Sequence, residues 1–123
     1  MTRPTIDIDY TVLDCPDPAA LATFYAELLG WTVVRSDDDW AQIDGPGMQR
    51  LAFQRAPKFE PVSWPASGIG VHLDLVIDDD YRESEPWALG LGATVVDAGD
   101  DHPTFRVYAD PVGHLFCLCV RNE

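Results

Sequence analysis

The chain is short of positive charge: eight Lys and Arg stand against 21 Asp and Glu in 123 residues, a net charge of −13. That balance repels phosphate backbones and anionic bilayers, so nucleic acid and membrane surfaces are set aside as partners. No run of about 18 apolar residues occurs, and no basic start precedes an apolar signal region, so the cytoplasm is the expected location. Cysteine is scarce as well. Cys15, Cys117 and Cys119 are an odd number with no small-scaffold framework, which excludes a disulfide frame and fits a reducing compartment. The length suits one compact domain over 1–123, burying roughly 65–70 % of its unfolded surface, with no room for a second.

What is present is organised around Asp17–Trp31. Asp17 can cap a helix, Pro18 suits its first position and Gly30 its end. Leu21, Phe24, Tyr25 and Leu28 follow the i, i+3, i+4, i+7 spacing of one apolar face, so the helix needs an apolar floor, which a sheet supplies. The helix exit recurs: Leu28-Leu29-Gly30-Trp31-Thr32-Val33-Val34 returns as Gly90-Leu91-Gly92-Ala93-Thr94-Val95-Val96, 62 positions on. Half the chain separates the copies, which points to two copies of one unit.

In chain order, Ile6–Asp14 alternates and reads as a strand leading into this helix, followed by strands Trp31–Ser36, Trp40–Asp44 and Gln49–Arg55. Residues 56–70 carry Pro57, Pro61, Pro65, Gly68 and Gly70 and read as a connector, with Phe59 and Trp64 expected to pack back as a plug or to mark a pocket mouth or subunit contact. Val71–Ile77 is a strand. Asp78-Asp79-Asp80 places negative charge before a second helix, where the dipole favours it, with a metal site as the lesser reading. That helix starts near Ser84, because Pro86 is tolerable only in the first turn, and Trp87, Ala88 and Leu91 carry it to Gly92. Ala93–Asp97, Phe105–Ala109 and Leu115–Arg121 complete the strands. The order β-α-β-β-β therefore occurs twice, with module one about 6–55, the connector 56–70 and module two about 71–121.

Four stretches then combine: Phe24-Tyr25-x-x-Leu28-Leu29-Gly30-Trp31, His72-Leu73-Asp74-Leu75, Leu91-Gly92-Ala93, and Asp110-Pro111-x-Gly113-His114-x-Phe116-Cys117-Leu118. Together they resemble the vicinal oxygen chelate (VOC) superfamily, which includes glyoxalase I, extradiol dioxygenases and the bleomycin and fosfomycin resistance proteins. The nearest flavour is the small bacterial glyoxalase-like group. The resemblance implies an α+β fold of two βαβββ modules forming a cup-shaped curved mixed sheet, paired into a homodimer. In metal-using members it implies a divalent ion, such as Zn, Ni, Fe or Mn, held by His, Glu or Gln from the first and last strands of each half. Carried over, those places fall at His72, Tyr10, Cys117 and Ala52, with Gln54 on the same face as Ala52. Only His72 keeps the family's ligand type.

A catalytic metal needs about three protein ligands and an open position, so the expectation is a small-molecule-binding cup without a metal, lined by Tyr10, Gln54, His72, Asp74 and Cys117. The alternative is a divalent-metal-dependent lyase, isomerase or dioxygenase in which His72 with Cys117 or Gln54 holds the ion. Cys117 and Cys119, i and i+2 on a strand, share one face with Phe116, Leu118 and Val120 on the other, so a His/Cys/Cys site with His72 stands beside the reading of small buried thiols. Asp74 shares the face of His72; it either pairs with Tyr10 or His72 or serves with His72 as an acid–base couple. His114 reads as a turn residue near the rim and His102 as a loop residue without a nameable partner. Trp31 is assigned to the core; Trp40, Trp64 and Trp87 are each core, interface or stacking platform. A filled core serving as an interaction module, with Trp64 and Phe59 marking the partner surface, is the third possibility.

Overall fold

The computed structural model describes residues 3–5, 7–61 and 71–120. The chain falls into two compact units, Met1–Pro57 and Lys58–Glu123. Unit one contains β1 (Thr11–Cys15), α1 (Pro18–Leu29), β2 (Thr32–Ser36), β3 (Trp40–Asp44) and β4 (Arg50–Arg55); unit two contains β5 (Leu73–Ile77), α2 (Ser84–Leu91), β6 (Thr94–Asp97), β7 (Phe105–Ala109) and β8 (Leu115–Val120). Each carries a four-stranded mixed sheet, in the order β1-β4-β3-β2 and β5-β8-β7-β6, whose first and last strands pair in parallel. The doubled βαβββ order read from the sequence is the fold.

The helix signals work as expected in unit one. Asp17 Oδ1 accepts the Ala20 N–H at 3.3 Å, Pro18 opens α1, and Gly30 closes it in the left-handed region at φ 72°. Gly92 closes α2 in the same region, at φ 117°, so the repeated Leu-Gly is one stop signal used twice. Leu21, Phe24 and Tyr25 are buried, and Tyr25 stacks on Phe53 of β4 at 5.8 Å. Register puts Leu51 and Phe53 toward the helix with Leu13, Ala41 and Ile43, and Val12, Gln42, Ala52 and Gln54 on the other, open face. Trp31 packs over Gly45, where a Cβ would lie 2.3 Å from the indole.

Unit two reaches the same order by different means. Ala88 is the only buried residue of α2, and Trp87, which the sequence left open between core, interface and stacking platform, is exposed. With Pro86 in the first turn and Gly90 near the end, the eight residues cannot form a continuous apolar stripe. Polar anchors hold the helix instead: Glu85 Oε1 accepts the Tyr108 hydroxyl at 2.7 Å and pairs with Arg106 at 3.0 Å. Tyr81, just before α2, donates its hydroxyl to the Leu118 carbonyl and lies under the Arg106 guanidinium at 4.0 Å. Those contacts hold Tyr81 and Asp80 at positive φ, 69° and 53°, a conformation costly for residues with a Cβ.

Element ends shift. The first strand begins at Thr11 rather than near residue 6, because pairing with β4 starts at Thr11–Leu51; Ile6 lies outside the described residues. Val71 and His72 precede β5, whose pairing starts at Leu73–Phe116. Of the connector, residues 62–70, with Trp64, lie outside the described residues, as does Arg121. Phe59 packs back on His114, ring centroids 4.5 Å apart. Among the described residues no helix is long and apolar enough to cross a membrane.

Candidate functional site

The sequence candidates divide between the units. Tyr10 and Gln54 belong to unit one; His72, Asp74 and Cys117 belong to unit two and meet there. Tyr10 and His72, matched by the 62-residue offset, stand one residue ahead of β1 and β5.

On the face of the unit-two sheet turned away from Phe116 and Leu118, register lines up one residue from each strand. Asp97 pairs with Val107, Val107 with Cys117, and Cys117 with Asp74. Since cross-strand partners share a face, the row is a floor of Val107 and Cys117 with a carboxylate at each end. Val107, Cys117 and Leu115 form a buried cluster with Phe105, Ala109 and Cys119 packed against it. Phe116 and Leu118 face the opposite way, where Phe116 stacks on Tyr108 at 5.4 Å. The two thiols therefore share the face of that row.

Each carboxylate of the row has a histidine. His72 Nε2 lies 3.1 Å from Asp74 Oδ1, so of the two pairings expected of Asp74 the one with His72 is present. His102 Nε2 lies 2.9 Å from Asp97 Oδ2, which supplies the partner the sequence left unnamed. Burial pushes the Cys117 thiol up to about 12, with Asp74, which it hydrogen-bonds, and Asp97 opposing its ionisation further. Burial and Asp74 raise Cys119 too. Both are protonated near neutrality, where they act as soft, weakly donating apolar groups. The ligand atoms of His72, Asp74 and Cys117 all lie within 4.8 Å of one another.

The corresponding face of unit one carries a polar chain beside Val12 and Ala52. Trp40 Nε1 donates to Gln42 Oε1 at 2.7 Å, Gln42 Nε2 to the Tyr10 hydroxyl at 2.7 Å, and that hydroxyl to Asp44 Oδ1 at 3.2 Å. Arg50 lies over the Tyr10 ring at 5.5 Å and pairs with Asp9. Burial first, then Asp44, raises the Tyr10 pKa, so it is a neutral phenol. Gln54 is exposed and pairs across the sheet with Trp40, lining an open groove with Arg35, Asp39, Arg55 and Pro57. Sequence reading missed Trp40, Gln42, Asp44 and Arg50 as neighbours of Tyr10. The alternation Trp40-Ala41-Gln42-Ile43-Asp44 was the available signal, since it puts three polar-tipped side chains on one face.

Two other acidic features are structural. Asp79 accepts from the N–H groups of Tyr81, Glu83 and Ser84 and from the Ser84 hydroxyl, and the bonds from Ser84 foremost outweigh desolvation to hold its carboxyl below the usual range. Asp79, the middle residue of the Asp78–Asp80 run, thus satisfies the backbone at the start of α2. Asp110, buried, accepts from the N–H groups of Val112, Gly113 and His114 and holds the His114 ring at 2.9 Å. His114 is the turn residue expected of it.

Comparison with known proteins agrees with this architecture. A family model described as glyoxalase-like domain matches residues 10–119. A glyoxalase/bleomycin resistance protein/dioxygenase family enzyme from Burkholderia phytofirmans is similar in structure, at TM-score 0.73 and 21 % identity over 94 % of this chain and 98 % of that one. A protein from Agrobacterium tumefaciens gives TM-score 0.73 and 21 % identity over the whole of both chains. A glyoxalase-related enzyme from Fulvimarina pelagi gives 0.70 and 18 % over 94 % and 88 %. No match was found among curated proteins. At these identities the neighbours speak for the fold, whereas the family model spans nearly the whole sequence, and on that ground the chain belongs to the glyoxalase-like domain family of the VOC superfamily.

Proposed function

We propose that the chain binds a small organic molecule on the Cys117 face of the second sheet and does so without a resident metal ion. The observation that supports this is the row Asp97–Val107–Cys117–Asp74: an apolar, thiol-bearing floor bounded by two carboxylates, each with its own histidine. Apolar contact area with a few convergent polar groups is the composition of small-molecule sites. His72 and Asp74 act as the hydrogen-bonding edge; their side chains are 40 % and 66 % exposed and so within reach of a ligand. Tyr10 and Gln54 are proposed separately, as ligand-contacting polar groups of the first sheet.

Thermal-shift screening of aromatic and thiol-conjugated compounds tests this reading, because a ligand of the native state raises apparent stability. A stabilising compound should lose its effect in Asp74→Asn and His72→Ala. A hit whose shift survives both substitutions sinks the site.

A second reading is favoured by one observation. His72, Asp74 and Cys117 offer one nitrogen, one oxygen and one sulfur within 4.8 Å, a donor number and type that fit Zn²⁺ or a similar divalent ion with a position left open. When bound, such an ion would act as a Lewis acid, and the protein would be a metal-dependent lyase, isomerase or dioxygenase. Cys117, neutral as it stands, would have to give up its proton to join. Elemental analysis of protein purified without chelator decides: stoichiometric metal lost in Cys117→Ser removes the metal-free reading. A homodimer in the cytoplasm is proposed on the family resemblance, and analytical ultracentrifugation checks the assembly.

A further inference from the structure

The loop joining β6 to β7 closes through one imidazole. His102 places Nε2 2.9 Å from Asp97 Oδ2 and Nδ1 2.9 Å from the Phe105 carbonyl oxygen, and its ring stacks on Phe105 with centroids 3.9 Å apart. Both neighbours are acceptors: a carbonyl has no proton to give, and neither does an ionised carboxylate. A neutral imidazole carries one N–H, and only the imidazolium carries two. The two contacts are therefore satisfied together by the cation alone.

The rest of the loop depends on this closure. The Gly99 N–H donates to Asp97 Oδ1 and the His102 N–H to the Gly99 carbonyl. Gly99 takes φ +82° so close to the Phe105 carbonyl that a Cβ would lie 2.8 Å from it. Among the described residues, the charged and titratable groups of the elements around the ring include these. Asp97 comes from β6, and Asp100 and Asp101 lie in the loop itself. Arg106 of β7 is engaged with Glu85 and the Tyr81 ring. Cys119 of β8 lies across from Phe105.

We propose that His102 is a proton-operated clasp for this loop and sets the charge that Asp97 presents at the end of the Asp97–Val107–Cys117–Asp74 row. With the proton in place, both hydrogen bonds close and the His102–Asp97 pair is neutral overall. Without it one bond is lost, and the His102–Asp97 pair changes from neutral overall to net negative at the end of the row. The consequence for binding rests on the reading of that row as the ligand site: an organic cation on the floor gains a counter-charge as the pH rises. The hydrogen bond to Asp97, ahead of an opposing desolvation, raises the His102 pKa. The folded chain thus holds this proton more tightly than the unfolded one. The clasp's stabilisation is complete below the ordinary imidazole value of about 6.5 and fades as pH rises through the folded value.

NMR titration of the full chain from pH 5 to 9, with no ligand added, tests the clasp. The His102 ring signals should titrate above the ordinary imidazole value, and the Gly99 and Phe105 amides should follow the same midpoint. Asp97→Asn, which keeps an oxygen for the Gly99 N–H, should lower that midpoint, and His102→Gln should abolish the shared titration. A wild-type midpoint at or below the ordinary value, or one that Asp97→Asn leaves unmoved, overturns the clasp whatever the protein binds. Benzyltrimethylammonium then tests the coupling. Its binding should tighten several-fold from pH 5.5 to pH 8.5 in the wild type, and Asp97→Asn should remove the part of that change whose midpoint matches the ligand-free His102 titration. Equal binding at both pH values, or none at either, overturns the coupling while the ligand-free titration still judges the clasp.

Discussion

The two units share an order of elements and almost nothing in how they are held. In unit one, α1 buries Pro18, Leu21, Ala22, Phe24, Tyr25 and Ala26 against the sheet; in unit two, α2 buries Ala88 alone and is tied down by Glu85 and Tyr81. The other sheet faces are exchanged in the same sense. Unit one carries a polar chain through Trp40, Gln42, Tyr10 and Asp44, and unit two an apolar floor with two thiols. Topology is thus satisfied by either currency of packing, and side-chain chemistry is free to diverge on it.

The largest effect expected from this contrast is chemical. At pH 8 a thiol with a pKa of about 12 is ionised about a thousandfold less than an ordinary cysteine, so iodoacetamide should label Cys117 about a thousandfold more slowly in the folded than in the denatured chain. Mass spectrometry of timed samples reads it, and rapid labelling would place Cys117 outside the floor. The same shift makes stability fall as pH rises from about 9 toward 12, because the folded state keeps a proton that the unfolded state releases.

Next come the helix faces. Phe53→Ala should cost about 3–5 kcal/mol in denaturant unfolding, since the ring leaves a cavity under Tyr25. Tyr108→Phe should cost less, about 1–2 kcal/mol, because Glu85 keeps Arg106 and reaches solvent. A larger loss for Tyr108→Phe than for Phe53→Ala would reverse the comparison. Asp17→Ala should cost about 1 kcal/mol as a lost cap, and Asp79→Ala more than that, because Asp79 serves four donors. Smallest is Trp87→Ala, expected within about 0.5 kcal/mol, since the ring is 55 % exposed.

The fold was legible because its signals are local and doubled. Asp17, Pro18 and Gly30 fix the ends of α1 through backbone chemistry alone, and the Leu-Gly repeat at Gly92 announces the second copy. Period two in Leu115–Val120 gave the faces of that strand, including the shared face of Cys117 and Cys119. The site was legible only in part. His72 and Asp74, two apart, were seen as neighbours, but Asp97 joins Cys117 through two strand pairings that no local pattern reports. Likewise Tyr10 meets Gln42 and Asp44 more than thirty residues away. Trp87, left open between core, interface and stacking platform, is exposed, because helical spacing signals burial only where the helix is long enough to own a face, and Ser84–Leu91 is not.

One consequence follows from the parallel pairing of β1 with β4 and of β5 with β8. In each unit the opening strand finds its neighbour only when the closing strand has been made, so neither sheet can be completed by growing hairpin after hairpin from its beginning. On the ribosome the first half can close its own sheet while the second is still being synthesised, and β5 must then wait, unpaired on its β8 side, until Leu115–Val120 has emerged.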